Sequence, residues 1–242
     1  IVACLVGSEM CIRDRDKKPL QDSILWYCTR ARDYPEIFGQ HITPEEYQEH
    51  TGMQLSPLWV AAKIAWLRDN KPDTFEKTAW FANGQEYFLY LLGADRWETD
   101  PASLTLNGMM DIRKLDWSDR VLEMCGISRD RVPPVGPPSG MVGKVSKQAS
   151  EATGIPEGVI LCRGAGDQQC AAIGAGVIRQ GMAEFTVGTA GVMVAHLDSV
   201  DRIKGKNLWW GGHGVPNAWD IEGGAFCLCL LYTSPSPRDK RL

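Results

Sequence analysis

Residues 164–176 read GAGDQQCAAIGAG: a glycine loop, then an acid, then small residues with helical spacing. Just before it, Val159–Cys162 is a short apolar run that predicts a buried strand. A strand that ends in a glycine loop and resumes as a helix is where α/β folds commonly gather ligands. Gly164 and Gly166 allow close approach of a ligand to the backbone, because no Cβ intervenes. Asp167 offers a carboxylate that can accept a proton from a bound hydroxyl. Gln168 and Gln169 add donors and acceptors suited to a polyhydroxylated substrate. The residues alone leave a second role open for Asp167, since Asp is also a good helix N-cap and such turns are common.

Downstream, Glu184–Val187 and Val192–His196 predict two strands around the turn Gly188-Thr189-Ala190-Gly191. The backbone N–H groups of that turn and the Thr189 hydroxyl suit a polyphosphate, although Gly-Thr turns also occur in ordinary hairpins. Glycine-rich stretches follow at Trp210–Gly214 and Glu222–Gly224. The chain has no GxxxxGK[ST] and no GxGxxG, so neither a Walker-type nor a Rossmann nucleotide site is indicated.

Upstream, helix and strand signals alternate, which favours an α/β architecture. Ser56-Pro57 predicts a helix start, with Val60, Ile64 and Leu67 on one face. A second helix is expected over Gln85–Leu92, ending at Gly93. A third is expected from about Ser118, burying Val121, Leu122 and Cys125 before Gly126 stops it. The run VPPVGPPSG at 132–140 predicts a rigid extended connector. A helix over about 146–152 then ends at Gly154.

The chain carries 26 Lys and Arg against 30 Asp and Glu, a balance that disfavours a nucleic-acid or anionic-membrane surface. No apolar run approaches the length of a membrane span. The cysteines form no CxxC pair and read as small buried residues of a reduced, cytoplasmic protein. His41, His50, His196 and His213 lack metal-ligand spacing and read as structural.

The two ends read differently from the rest. Leu230–Asp239 (LLYTSPSPRD) can be encoded by CTC TTA TAC ACA TCT CCG AGC CCA CGA GAC. The reverse complement, read from its third base, encodes LVGSEMCIR, the sequence at Leu5–Arg13. Such a pair resembles a sequencing adapter, so 1–15 and 229–242 are expected to be non-native ends that pack against nothing specific. The natural protein is expected to continue past both.

Three blocks, in order, resemble the FGGY family of carbohydrate kinases. KIAWLRDN at 63–70 fits the latter half of the family's first signature, while Leu58 and Val60 depart from its opening half. TDPAS at 99–103 followed by MMDIRKLDWSD at 109–119 fits the family's TD…LLD…DWS segment. GAGDQQCAAIGAG, with Thr189 placed 22 residues after Asp167, fits the catalytic-acid and second phosphate motifs.

The resemblance implies an α/β, actin-like ATPase fold of two domains, each with a ribonuclease-H-like core. Residues 16–178 would form most of the N-terminal, sugar-binding domain, and 179–228 the start of the C-terminal, nucleotide-binding domain. Asp167 would be the catalytic base and touch substrate, and Gln168 would be a neighbouring substrate contact. Gly188 and Thr189 would contact the nucleotide phosphates. ATP and Mg2+ are the implied cofactors, with no metal site built from protein ligands alone. The implied substrate is a sugar or polyol, with a ketopentose such as xylulose or ribulose first because the DWSD segment looks xylulokinase-like. Glycerol or another polyol comes second, prompted by GDQQ. An alternative of a different class is an actin-like ATPase or sensor that binds nucleotide and phosphorylates no sugar. The parent is expected to be cytoplasmic and able to form a homodimer. One departure stands out: the family often reads W-x-D-x-R where this chain has WYCTR at 26–30, with Cys28 in the acid's place. The family's first phosphate loop and its adenosine site lie outside the chain, so the fragment by itself is expected to be inactive.

Overall fold

The computed structural model describes residues 10–188, 191–203, 205 and 207–225. In chain order, strand β1 (Cys11–Arg13) is followed by helices α1 (Tyr34–Phe38), α2 (Pro44–Thr51), α3 (Val60–Asn70) and α4 (Pro72–Lys77). Then come β2 (Trp80–Ala82), α5 (Gly84–Leu92), α6 (Pro101–Thr105) and the short strands β3 (Met110–Asp111) and β4 (Asp116–Trp117). Helix α7 (Asp119–Cys125), β5 (Met141–Lys144), α8 (Lys147–Thr153), β6 (Ile160–Cys162) and α9 (Asp167–Gly174) lead into the last sheet. That sheet holds β7 (Ala183–Val187), β8 (Gly191–Leu197), β9 (Trp209–Gly212) and β10 (Trp219–Ala225). None of the helices among the described residues is long and apolar enough to cross a membrane.

The helix boundaries follow local chemistry. Ser118 caps α7 and Ser146 caps α8 through their hydroxyls, and both helices end on a left-handed glycine, Gly126 and Gly154. Helix α2 carries a full capping box, Thr43 with Glu46, and Pro44 in its first turn. Helix α3 begins at Val60 rather than at Ser56-Pro57. The Ser56 hydroxyl accepts from the Leu58 N–H instead, which closes a turn, and the Trp59 indole N–H donates to the Gln54 carbonyl at 2.6 Å. Once started, α3 buries Val60, Ala61, Ala62, Ile64, Ala65 and Leu67, so it is the centre of the main core rather than a surface helix. Lys63 is fully buried on it and donates to the carbonyls of Leu58 and Trp26.

Residues 10–13 overturn the expectation that the first fifteen residues pack against nothing. Met10, Cys11 and Ile12 are completely buried, and β1 pairs antiparallel with β2, Ile12 opposite Phe81. The physical reason is that β2 presents a row of unpaired backbone groups over an apolar core. A neighbouring segment with consecutive apolar side chains satisfies both. Residues 229–242 lie outside the described residues.

Strand β6 also differs from the reading of a fully buried strand. It pairs with β5 alone, and Ile160 is 59% exposed while Leu161 is buried. Its apolar run reflects one buried position between two exposed ones. The cysteines divide likewise: Cys11 and Cys125 are buried, but Cys162 and Cys170 are exposed. Small size lets cysteine sit in either setting.

The last sheet has the order β7-β8-β10-β9, antiparallel throughout. It docks on the preceding elements through close backbone approach together with a few side-chain bonds. The Gly212 N–H donates to the Thr105 hydroxyl of α6 at 3.0 Å, and the Trp210 N–H to the Gly52 carbonyl at 2.8 Å. A Cβ on Gly211 would sit 2.7 Å from Asp220 Oδ1 and 2.8 Å from the Thr105 methyl, and one on Gly212 2.6 Å from Pro101. Trp219 completes the joint by donating its indole N–H to the Ile112 carbonyl.

Candidate functional site

Asp167 opens α9 directly behind Gly166, whose extended backbone makes it the N-cap residue. The capping role that sequence left open for Asp167 therefore falls to a glycine. The Asp167 side chain is exposed, and its Oδ1 accepts from the adjacent Gln168 N–H at 2.9 Å. Gln168 is half-buried, and its Oε1 is shielded from solvent without a hydrogen-bond donor among the described residues. An exposed carboxylate and a shielded amide oxygen thus sit side by side at the start of the helix.

The space beside the loop glycines holds glutamine side chains of the protein. A Cβ on Gly164 would lie 3.3 Å from Gln85 Oε1, and one on Gly166 would collide with Gln169 Oε1. Two glutamine side chains of the protein itself occupy the space that the sequence suggested for a ligand.

Gln169 is committed to the protein's own sheet. It is buried and turned towards the sheet, where Nε2 donates to Asp220 Oδ2 at 2.9 Å and Glu222 Oε2 at 3.3 Å. The register explains the convergence. Glu184, Val194 and Glu222 stand opposite one another across β7, β8 and β10, and Asp220, two residues from Glu222, shares their face. Helix α9 packs on that face, with Ala172 and Val194 completely buried. Burial pushes the Asp220 carboxyl up to about 8, helped by the nearby Glu222 charge. Burial likewise raises Glu222 to about 7, and the charges of Asp167 and Glu184 add to the effect. The charges of Asp167 and Glu184 thus both reach Glu222, which sequence spacing did not reveal. The available signal was an acid-x-acid pair, Asp220 and Glu222, on a strand opposite a helix that begins with an acid.

At the second predicted site, β7 and β8 do form the two arms of a hairpin, joined through Val187 opposite Gly191. Gly188 sits exposed at the end of β7, and Thr189 lies outside the described residues.

The remaining polar groups serve other ends. His196 pairs with Asp198 at 2.9 Å, and its ring lies 4.7 Å from that of His213. Burial, with the His196 charge, holds His213 down at about 4, so it stays neutral. Cys28, in the place where an acid was expected, accepts from Arg30 Nε at 3.0 Å. Burial alone would raise its pKa, but the Arg30 hydrogen bonds and the Arg30 and Lys63 charges hold the thiol below its usual range. An open cleft of about 570 Å³ lies between α2 and the 200–203 turn, lined by residues such as His50, Arg113 and Trp210. None of its lining residues belongs to the Asp167 loop or the β7–β8 hairpin. Among the described residues no group of three or more His, Cys, Asp or Glu is placed to hold a metal ion.

Comparison with known proteins places this geometry in context. A family model described as "FGGY family of carbohydrate kinases, N-terminal domain" matches residues 5–174. The chain is 29% identical over 216 residues to the xylulose kinase of Bacillus subtilis (strain 168), covering 87% of this chain and 42% of that protein. It is 29% identical over 220 residues to the glycerol kinase of Thermococcus onnurineus (strain NA1), covering 88% and 43%. Among solved structures it superposes on Plasmodium falciparum glycerol kinase with ADP at a TM-score of 0.83 and 22% identity, covering 97% of this chain and 48% of that one. The chain spans less than half the length of the curated relatives it matches.

Proposed function

Because the chain belongs to the FGGY family of carbohydrate kinases and has their actin-like α/β fold, we propose that the full-length protein transfers the γ-phosphoryl group of ATP to a sugar or polyol hydroxyl, with Asp167 as the base. The observation that carries this is the state of Asp167: an exposed carboxylate at a loop-to-helix junction, spared from capping by Gly166. Phosphoryl transfer is chiefly positioning and electrostatic stabilisation. Asp167 accepts the hydroxyl proton as that oxygen attacks the γ-phosphorus, a contribution of about 10²–10⁴-fold for a base of this kind. Gln168 Oε1 accepts from a second substrate hydroxyl, which orients the first. Gly188, which follows β7, and Thr189 contact the nucleotide phosphates through N–H groups.

The residues present fit Mg2+ bound alongside the phosphates. A cation held largely by phosphate oxygens and water needs only one or two carboxylates. Glu184 has a shielded oxygen, Oε1, without a donor among the described residues, and the charges of Asp167 and Glu184 both act on Glu222. These two would hold the ion, which supplies neutralisation of the phosphate charge when bound.

Our preferred substrate is a ketopentose such as xylulose or ribulose, supported by the DWSD segment and the xylulose kinase relative. Glycerol is the second reading, supported by GDQQ and the glycerol kinase relative. We place the protein in the cytoplasm, where ATP and free sugars meet. The test is ADP release by the full-length protein with ATP, Mg2+ and xylulose, ribulose or glycerol in turn. Release that depends on xylulose or ribulose is the expected result. Release at one rate regardless of added sugar would identify a nucleotide-hydrolysing relative instead.

A further inference from the structure

Arg163 directly follows β6 and precedes the Gly164-Ala165-Gly166 loop, and its N–H is still bonded to the Gly140 carbonyl beside β5. It is only 4% exposed. Its Nε donates to the Pro137 carbonyl at 2.9 Å, and its Nη1 pairs with Glu98. The guanidinium occupies a cradle that exists because Gly136 and Gly140 lack side chains. A Cβ on Gly136 would come within 2.5 Å of its central carbon, and one on Gly140 would fall on the guanidinium. The main chain adds two bonds: Arg163 N–H to the Gly140 carbonyl at 2.9 Å, and Ser139 N–H to the Arg163 carbonyl at 3.2 Å. Ser139 itself holds a left-handed φ of 61°, a conformation that non-glycine residues keep only where neighbours enforce it.

The connector on the other side of the guanidinium is fixed in turn. Thr99 N–H donates to the Pro134 carbonyl at 3.0 Å, and Gly136 N–H to the Thr99 carbonyl at 2.9 Å. Three segments, around 98–100, 133–140 and 160–163, therefore converge on one buried cation. A buried ion pair is weak evidence for stability, because desolvation offsets much of the attraction. A planar fork that bonds two segments at once is better suited to setting geometry.

On this basis we propose that Arg163 is a positioning residue for Asp167, fixing the near end of the glycine loop while Gln169, docked on the sheet, fixes the far end. The proposal rests on Asp167 being the base. Between the two anchors lie two glycines whose backbone resists rotation poorly. Loss of the Arg163 anchor lets the loop pivot, and a misplacement of about 1 Å can cost on the order of a hundredfold in rate.

The experiment compares Arg163→Lys, Arg163→Met, Gly140→Ala and Asp167→Asn in the full-length protein, each assayed well below its own melting temperature. Gly140→Ala keeps Arg163 but puts a methyl group where its guanidinium lies. The expected result is a kcat lower by about tenfold to a hundredfold in Arg163→Met and Gly140→Ala, with KM for ATP within about twofold. Arg163→Lys, which keeps the charge but not the fork, should fall between these and the wild type. If Arg163→Met is insoluble, the lysine and Gly140 variants carry the test. Wild-type kcat in the folded variants, with only the melting temperature lowered, would overturn the positioning role while Asp167→Asn still loses turnover. An active Asp167→Asn would remove the reading beneath it, and the proposal with it.

Discussion

Gln169 on α9 and Asp220 on β10 are joined by a 2.9 Å hydrogen bond in which the amide nitrogen donates to a buried carboxyl oxygen. Glu222 takes the same amide at 3.3 Å, so two acids share one donor beneath the helix that begins at Asp167. Two like charges in a dry site cannot both be supported by one amide, and the pair retains a proton near neutrality.

This arrangement makes the fold sensitive to alkali. The folded pKa values of about 8 for Asp220 and about 7 for Glu222 lie above the ordinary carboxylate range. Between that ordinary range and about 8 the folded chain holds more protons than the unfolded one, so this contribution to stability declines as pH rises and is gone above about 8. We expect the melting temperature to fall between pH 5.5 and pH 9. Asp220→Asn, which keeps the acceptor for Gln169 but cannot ionise, should flatten that decline by on the order of a few kcal/mol. A variant whose melting profile tracks the wild type across the range would refute the assignment.

Asp167→Asn in the full-length protein should lower turnover by about 10²–10⁴-fold, or roughly 3–5 kcal/mol of transition-state stabilisation. ATP affinity should stay close to normal. Since Gly166 is the N-cap residue and Asn keeps a side-chain oxygen able to accept from the Gln168 N–H, the melting temperature should hardly change. Steady-state kinetics with the cognate sugar, set beside a thermal melt, reads both quantities. Turnover within about threefold of wild type would rule out the role of base.

Gly52→Ala should be among the costliest single-methyl changes in the chain. Gly52 has a φ of 80°, and an added Cβ would collide with the Trp210 carbonyl oxygen. Strain and overpacking together should cost about 2–4 kcal/mol in denaturant unfolding. A loss under about 0.5 kcal/mol would mean that β9 is not seated on α2 as described.

Ile12→Ala tests the place of β1. Ile12 is completely buried opposite Phe81, and truncating such a side chain typically costs about 2–5 kcal/mol. If residues 10–13 were the unpacked end that their coding resemblance suggested, the same change would leave chemical denaturation curves unmoved.

Much of the local structure could be read from capping and stop signals. Ser118 with Gly126 and Ser146 with Gly154 bracket their helices as expected, because a cap is a short-range device written in adjacent residues. Ser56-Pro57 does not start the helix, since a hydroxyl can close a turn as readily as it can cap, and α3 begins only behind the local bonds from Trp59 to the Gln54 carbonyl and from Lys63 to the Leu58 carbonyl. Thr43 and Glu46, by contrast, spell a capping box in nearby residues. At the site, the Asp167 loop and the hairpin strands were legible because both are contiguous motifs. The inward turn of Gln169 was not. It depends on Asp220 and Glu222, some fifty residues away, and only strand register brings them under α9. Arg163 was hidden for the same reason, its cradle being formed by glycines that sequence presents as parts of a proline-rich connector.

The seam where β9 meets α6 has a genetic corollary. Gly211 and Gly212 leave no room for a Cβ against Asp220, Thr105 or Pro101. Every amino acid reachable from a glycine codon by one nucleotide change carries a Cβ, so neither position has a neutral neighbour in mutational space. Lineages can drift at the exposed residues of β7 and still keep the sheet, but at position 212 a Cβ would meet the Pro101 backbone itself, which no side-chain change in α6 removes. Homologues gathered at any depth should therefore vary the residues around this seam while leaving the pair unchanged.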